Sequence, residues 1–372
     1  MANRGEWGEP YVALRILGER KIYIAGKNGT KSHTEWMDVL ELIRYEATNR
    51  VVTYRVNDRE DITIEVLVND DYKSRMSASR YLEIANKLAM EIRDGKGRSF
   101  VVSDDIQDFL RKIEMQHIKA KNIDKSDLFL SIKDPRAAIV RKQVGFSVKS
   151  EFGQNPTLFN TAKASAVVYK IEGMTDDLMD YINSLVDNKR NVAVSERCKK
   201  LLEYGCKLSF VGFPFAQRAK CEAFKENLDL IDPRLPKVIE RMLWYHFFEN
   251  FSDNNLINVT ENIIAHNPCN LSRPHVKYVY MIKSFLYASY CGMTASTLWD
   301  GKSQVNGGFI KVDADGEVLA HYALESDAFK SYLYSNCYLE FPSTDEKHGN
   351  YAKVYREENE YFFRLNFQIR HR

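Results

Sequence analysis

The stretch QVGFSVKSEFG, residues 143–153, alternates apolar and polar side chains in the manner of a strand with one buried face. Val144, Phe146 and Val148 form the apolar set, and Lys149 belongs to the polar set. A lysine on such a strand either faces solvent or lies at the mouth of a cleft, where it meets an anionic group. The group that stands opposite Lys149 therefore decides whether this strand carries chemistry.

A second strand-like segment, SDLFLSIKD at 126–134, precedes the first one, and Asp127 lies at its start. If the two segments pair antiparallel through the residues between them, Asp127 comes close to Lys149 at one edge of a sheet. Asp134 is the alternative to Asp127 as the acid of this pair, but its position beside Pro135 is more typical of a turn. An aspartate and a lysine also occur at strand ends by chance, so the spacing alone does not establish a site.

Metal-dependent phosphodiester hydrolysis can use such a pairing of an acid with a lysine. A carboxylate binds Mg²⁺, which takes oxygen ligands and lowers the pKa of bound water. A lysine orients the attacking water or neutralises the charge that develops on the phosphate. Ser147 shares the face of Lys149 at the place where a second carboxylate is expected, and Glu151 shares this face if the strand continues.

Composition restricts the class of protein. The chain has 372 residues, of which 44% are hydrophobic, enough for two domains or for one large core with insertions. No apolar run reaches the roughly 18 residues of a membrane span, and the start lacks the apolar segment of a secretory signal, so we expect a cytoplasmic protein with no membrane partner. The six cysteines show no zinc-ligand spacing with the histidines and are predicted to be reduced thiols.

The net charge of +2 is too small to give the whole surface a strongly positive potential. An anionic partner would therefore have to bind at a local cluster of basic residues. The stretch between positions 189 and 225 contains nine Lys and Arg residues but only three Glu residues. A solvated helix face is the ordinary interpretation of such a run. If the stretch binds DNA instead, we expect phosphate contacts from Lys189, Arg190, Arg197, Lys199 and Lys200.

The periodicity along the chain predicts an α/β fold that is α+β in layout, with a mixed sheet flanked by helices. Helices are predicted at about 7–17, 77–93 and from 104, from 175, and over most of 195–293, with Ser195 as an N-cap; strands are predicted at 21–25, 126–134, 144–150 and 165–171, and hairpins at 307–324 and 351–370. We divide the chain, with soft boundaries, into an N-terminal nuclease-like core at 1–190, a helical region at 191–293 and a β-rich segment at 294–372.

Several dispersed stretches carry a family resemblance. They are NRGEWGEPYVALRIL at 3–17, GFSVKSEFGQNPTLFNTAKAS at 145–165, GGFIKVDADGEVLAHY at 307–322, YLEFPST at 338–344 and FFRLNFQIR at 362–370. In these stretches the chain resembles type II restriction endonucleases of the HpaII family, and SDLFLSIKD with GFSVKS is similar to the core of PD-(D/E)XK nucleases. The resemblance implies Mg²⁺-dependent, sequence-specific hydrolysis of double-stranded DNA, with Mn²⁺ as a substitute for Mg²⁺.

The resemblance also implies roles for individual residues. Asp127 matches the metal-binding aspartate and Lys149 matches the motif lysine, but Ser147 stands where the family pattern has an acid. The second metal ligand is therefore open. Glu151, or a glutamate of the first helix such as Glu6 or Glu9, could supply the missing carboxylate.

Partners and rival functions follow from the same resemblance. A restriction enzyme implies a cognate DNA methyltransferase that protects the same site, and a homodimer is a further option. One rival is a non-catalytic DNA-binding protein that has lost a metal ligand at Ser147; another is a nuclease that acts on modified or structured nucleic acid. The presence of both Asp127 and Lys149 favours an enzyme.

Overall fold

The structure is a computed structural model of the chain. It describes residues 1–26, 30–58, 62–97, 99–120, 126–135, 139–153, 157–160, 162–185, 190–213, 219–302, 307–322, 326–341 and 351–371. The sequence KNGT at 27–30, which follows the predicted strand at 21–25 and is typical of a turn, lies mostly outside these residues.

Helices and strands both occur throughout the described residues. The α-helices are α1 (Arg4–Glu19), α2 (Ala78–Asp94), α3 (Asp104–Lys112), α4 (Asp176–Ser184), α5 (Arg190–Glu203), α6 (Ala219–Ile231), α7 (Leu235–Trp244), α8 (Leu256–His266), α9 (Pro274–Tyr290) and α10 (Ser326–Asn336). The strands are β1 (Lys21–Ala25), β2 (Lys31–Ala47), β3 (Arg50–Asn57), β4 (Thr63–Val68), β5 (Asp71–Ser77), β6 (Leu128–Asp134), β7 (Ile139–Ser150), β8 (Thr157–Phe159), β9 (Val167–Glu172), β10 (Lys207–Gly212), β11 (Gly308–Val312), β12 (Val318–Tyr322), β13 (Cys337–Leu339), β14 (Val354–Glu357), β15 (Glu360–Leu365) and β16 (Ile369–His371).

The chain forms two compact units. The first consists of Met1–Pro156 and Ser303–Tyr332, and the second of Thr157–Lys302 and Leu333–Arg372. The predicted helical region at 191–293 falls within the second unit, whereas the predicted segment 294–372 contributes to both. The three-part division of the sequence stays a prediction.

The first unit is built on a nine-stranded sheet in the order β1-β12-β11-β7-β6-β2-β3-β4-β5. The pairs β1–β12 and β11–β7 are parallel and the other pairs are antiparallel, so the sheet is mixed as predicted. Strand β2 has 17 residues and pairs with β1 as well as with β6, which closes a ring of six strands. Apolar side chains of α1, α2 and α3 pack with those of the sheet in one core.

Strands β2 to β5 were not predicted from the sequence. Together with α2 they fill most of residues 31–94. The predictions for α1, for α2 ending before Gly95, and for the hairpin of β11 and β12 are confirmed.

The second unit contains two smaller sheets, β10-β9-β15-β14 and β13-β16-β8, together with helices α4 to α9. The predicted hairpin near the C-terminus is confirmed as β14 and β15. The predicted N-cap at Ser195 is wrong, because α5 already begins at Arg190 and Ser195 lies inside it. No helix among the described residues is long and apolar enough to cross a membrane.

Candidate active site

The predicted pairing of the two central strands is confirmed. Strands β6 and β7 are antiparallel, with Leu128 opposite Phe146. The ladder extends one residue further, because the Asp127 amide donates to the Phe146 carbonyl at 2.9 Å. A side chain at Gly145 would collide with the Ser126 hydroxyl, so this glycine permits the close approach of β7 to the residues that precede β6. Asp127 is thereby held beside the end of β7.

The carboxylate of Asp127 is oriented by β7 itself. Its Oδ2 atom accepts a hydrogen bond from the Val148 amide at 2.7 Å and a second one from the Ser147 hydroxyl at 3.2 Å. Ser147 is buried, and its hydroxyl serves the carboxylate as a donor. The residue that stands at the place of the family's acid therefore supports Asp127.

Lys149 lies in the same electrostatic cluster. Burial lowers the pKa of its ammonium group, Asp127 and Glu9 act in the opposite direction, and the positive charge of Lys119 lowers the pKa further. The structure thus brings together Asp127 and Lys149, as the antiparallel pairing predicts. It adds Glu9 and Lys119 as charged neighbours.

Glu9 reaches this cluster from helix α1. The helix packs closely on the end of β7, since a Cβ atom at Gly8 would lie 2.6 Å from Cβ of Ser150. Glu9 is 7% exposed, and its Oε2 atom accepts a hydrogen bond from the Ala120 amide at 3.1 Å. Burial, followed by the charge of Asp127, raises the pKa of Glu9 to about 7, against the lowering effects of Arg44, the Ala120 amide and Lys119. Two carboxylates therefore share a small volume.

The other acids proposed from the sequence have different surroundings. Glu6 belongs to the capping box of α1, where its Oε2 atom accepts from the Asn3 amide at 2.9 Å. Glu151 forms an ion pair with Lys311 at 2.9 Å, and its amide donates to the Val312 carbonyl. Asp134 lies opposite Ile139 at the other end of β6 from Asp127.

The donor set at the cluster fits a hard divalent cation. Carboxylate oxygens suit Mg²⁺, which usually takes one or two protein carboxylates and completes its shell with water and substrate phosphate. Glu9 and Asp127 supply two such groups, and their mutual repulsion would be relieved by a bound cation. In the part of the chain that the structure describes, no group of three or more His, Cys, Asp and Glu residues could hold a metal ion.

The predicted DNA contacts separate into distinct cases. Lys189 lies outside the described residues, as does the side chain of Arg190. Lys199 and Lys200 are solvent-accessible on α5 and form ion pairs with Glu203. They remain candidates for phosphate contacts.

The prediction that Arg197 contacts DNA phosphates is wrong. It is 1% exposed, and its guanidinium donates to the carbonyls of Asn183, Leu185 and Ala352. Because these acceptors lie within the second unit, Arg197 serves the fold and is not available to DNA.

Sequence reasoning missed Lys119, Ala120 and Arg44 as neighbours of the site, and it named Glu9 only as one of two options in the first helix. Residues 117–120 carry no recognisable motif and form neither a helix nor a strand. Their position depends on contacts with β2, which was itself not predicted.

Comparison with known proteins identifies the family. The family model described as HpaII restriction endonuclease matches residues 3–371. The type II restriction enzyme HpaII of Haemophilus parainfluenzae is 31% identical over 370 residues, which cover 99% of this chain and 98% of that enzyme. No solved structure matches the chain significantly.

Proposed function

Because the chain belongs to the HpaII restriction endonuclease family, we propose that it is a type II restriction endonuclease that cleaves double-stranded DNA at a specific sequence. The observation that carries the chemistry is the cluster of Asp127, Glu9 and Lys149 at the meeting point of β6, β7 and α1. This arrangement supports a PD-(D/E)XK-type core in the first unit. A cytoplasmic location, a cognate methyltransferase and a homodimer belong to the same proposal.

Within this site, Asp127 and Glu9 would hold Mg²⁺ or Mn²⁺, and the bound ion would supply an activated water and stabilise charge on the phosphate. The Val148 amide and the Ser147 hydroxyl keep the Asp127 carboxylate in place. The Lys149 ammonium interacts electrostatically with both acids, and from this position it would orient the attacking water or neutralise the scissile phosphate. Of the three glutamates that the sequence offered as the second metal ligand, we assign Glu9 to this role, since the side chains of Glu151 and Glu6 have other partners.

Phosphate contacts away from the scissile bond fall to exposed basic side chains. Lys119 lies next to the site, and Lys199 and Lys200 lie on α5. Such contacts position the duplex and carry no sequence information directly.

The proposed function predicts discrete DNA fragments. Incubation of a mapped plasmid with the protein and Mg²⁺ should give fragments whose sequenced ends share one recognition site, and Mn²⁺ should substitute for Mg²⁺. A chelator should stop the reaction, because the two carboxylates are hard ligands for such an ion. If the protein shifts the DNA band in a gel-mobility assay but leaves the DNA uncut in both metals, a non-catalytic DNA-binding protein would be favoured. Cleavage that persists in chelator would exclude the proposed metal site.

Glu9→Gln should stabilise the protein in the absence of metal. The folded-state pKa of Glu9 lies above the usual value, so its ionised form costs stability above about pH 7, and this cost disappears as the pH falls towards 4.5. At about 1.4 kcal/mol per pKa unit, the free energy of unfolding at pH 8 should rise by about 1–3 kcal/mol. Urea denaturation in chelator measures this change.

Glu6→Gln is the matched control for Glu9→Gln on the same helix. A glutamine at this position retains the capping box, so the free energy of unfolding should change by less than about 0.5 kcal/mol. A stability gain in Glu6→Gln, or its absence in Glu9→Gln at pH 8, would reject the assignment of Glu9 as the buried acid beside Asp127.

A further inference from the structure

We propose that the buried ion pair between Arg44 and Glu46 is a positioning device that holds residues 117–120 against the active site and thereby sets the metal affinity of Glu9. This inference rests on the proposed nuclease function. Both residues belong to β2, two positions apart, and both side chains are fully buried, with Nε of Arg44 3.1 Å from Oε1 of Glu46.

The remaining hydrogen bonds of the pair converge on one irregular segment. Nη2 of Arg44 donates to the carbonyls of His117 at 2.9 Å and Ile118 at 3.3 Å. Oε2 of Glu46 accepts from the His117 amide at 2.8 Å and lies 3.1 Å from Nδ1 of the same residue. Residues 115–117 and 120 are in neither helix nor strand, and 118–119 form a bend. The pair therefore replaces the regular hydrogen bonds that would otherwise fix this backbone.

The segment held by the pair contacts the site directly. The Ala120 amide donates to Oε2 of Glu9, and Lys119 contributes positive charge at both Glu9 and Lys149. Arg44 itself is near enough to lower the pKa of Glu9. A displacement of residues 117–120 would therefore change one hydrogen bond, from the Ala120 amide, and one charge, that of Lys119, at the metal-binding carboxylate.

Burial of this pair is difficult to explain as a source of stability. A buried ion pair gains little over apolar side chains of similar size, because desolvation of both charges offsets their attraction. Groups that orient metal ligands, in contrast, change metal affinity or activity by roughly 10- to 100-fold when removed. The convergence of the Arg44 and Glu46 hydrogen bonds on the segment that contacts Glu9 fits the second role.

The test uses Glu46→Gln in the full-length protein. Glu46 accepts from Arg44 and from the His117 amide through two different oxygens, whereas a glutamine has one acceptor oxygen and no charge, so one of these two hydrogen bonds is lost in the present geometry. Calcium titration calorimetry should show a roughly 10- to 100-fold weaker binding constant, and the Mg²⁺ concentration for half-maximal single-turnover cleavage should rise by a similar factor. The rate at saturating Mg²⁺ and DNA binding in chelator should stay within about threefold of wild type.

Two further variants make the result specific. Arg44→Lys retains the positive charge but loses Nη2, which donates to two carbonyls, and it should reproduce the loss of calcium affinity. Glu65→Gln removes the partner of Arg75 on β4, which is separated from β6 by β2 and β3, and it should leave calcium binding unchanged.

Other outcomes would overturn the inference in distinguishable ways. Wild-type calcium affinity in folded Glu46→Gln, or a loss no larger than in Glu65→Gln, would show that the pair does not position the site. Unfolding of both Glu46→Gln and Arg44→Lys would identify the pair as a general stabiliser and would count equally against it. Wild-type calcium binding in Asp127→Asn would instead show that the proposed metal site is wrong, and the positioning role would fail with it.

Discussion

Lys149→Ala is expected to lower the single-turnover rate of DNA cleavage by at least about a hundredfold, the low end for a positioned catalytic group. The ammonium group interacts electrostatically with Asp127, Glu9 and Lys119 in a partly desolvated site, and its proposed role there is to act on the reacting phosphate or water. The side chain is only half-buried at the end of β7, so its removal should leave the fold and DNA affinity close to wild type.

Lys142→Ala provides the control for Lys149→Ala. Lys142 lies on the same strand, is exposed, and is removed from the Asp127 end of the hairpin. This control variant should cleave within about threefold of the wild-type rate, as is usual for surface substitutions. Both variants should be measured on one duplex, with cleavage in Mg²⁺ and binding in Ca²⁺. Cleavage by Lys149→Ala at the wild-type rate would reduce this lysine to a solvated surface charge.

Asp127→Asn is expected to have the second large effect, again at least about a hundredfold in the cleavage rate. The asparagine side chain retains the shape of aspartate, and its carbonyl oxygen can still accept a hydrogen bond from the backbone N–H of Val148. It loses the negative charge that a divalent cation requires, so metal affinity should fall together with activity. Calcium titration of the variant separates this loss from a loss of DNA binding.

Two milder substitutions define the limits of the Asp127 result. Ser147→Ala removes one hydrogen bond to the carboxylate, worth about 1 kcal/mol, and should reduce cleavage by no more than about tenfold. Glu151→Gln disturbs an ion pair with Lys311 and should likewise be mild. A loss in Glu151→Gln that equals the loss in Asp127→Asn would restore Glu151 as the second metal ligand and would exclude Glu9 from that role.

Local periodicity was sufficient to predict the central hairpin and the first helix. Strands β6 and β7 carry alternating apolar residues, and α1 begins at a capping box and ends before a short alternating strand. These signals lie within a few residues of one another. The antiparallel pairing, and with it the approach of Asp127 to β7, could therefore be inferred from the sequence alone.

The strands at residues 31–77 could not be predicted in the same way. The middle of β2 reads VLEL at 39–42, in which Leu and Glu favour helices at least as much as strands. Its conformation depends on pairing with β6, about 90 positions later in the chain. Because Arg44 and Glu46 lie on this strand, their link to residues 117–120 was hidden as well.

The choice among the glutamates also required tertiary information. Glu6 and Glu9 lie one turn apart on α1, and the sequence does not show which of them faces the sheet. The packing of Gly8 on Ser150 and the hydrogen bond from the Ala120 amide place Glu9 against the sheet, and they are the basis on which Glu9 is proposed as the ligand. Similarly, the charge run around Arg197 gives no sign that this side chain is buried under carbonyls, one of which is more than 150 residues away in sequence.

The position of a bound divalent cation tests the site most directly. Crystals of the protein with its DNA, soaked in Mn²⁺, would give an anomalous scattering peak at the ion. We expect this peak at about 2.0–2.2 Å from carboxylate oxygens of both Asp127 and Glu9, with the Lys149 ammonium beside the same phosphate. A peak held by Glu151 or Glu6 in place of Glu9, or one remote from Asp127, would contradict the proposed active site.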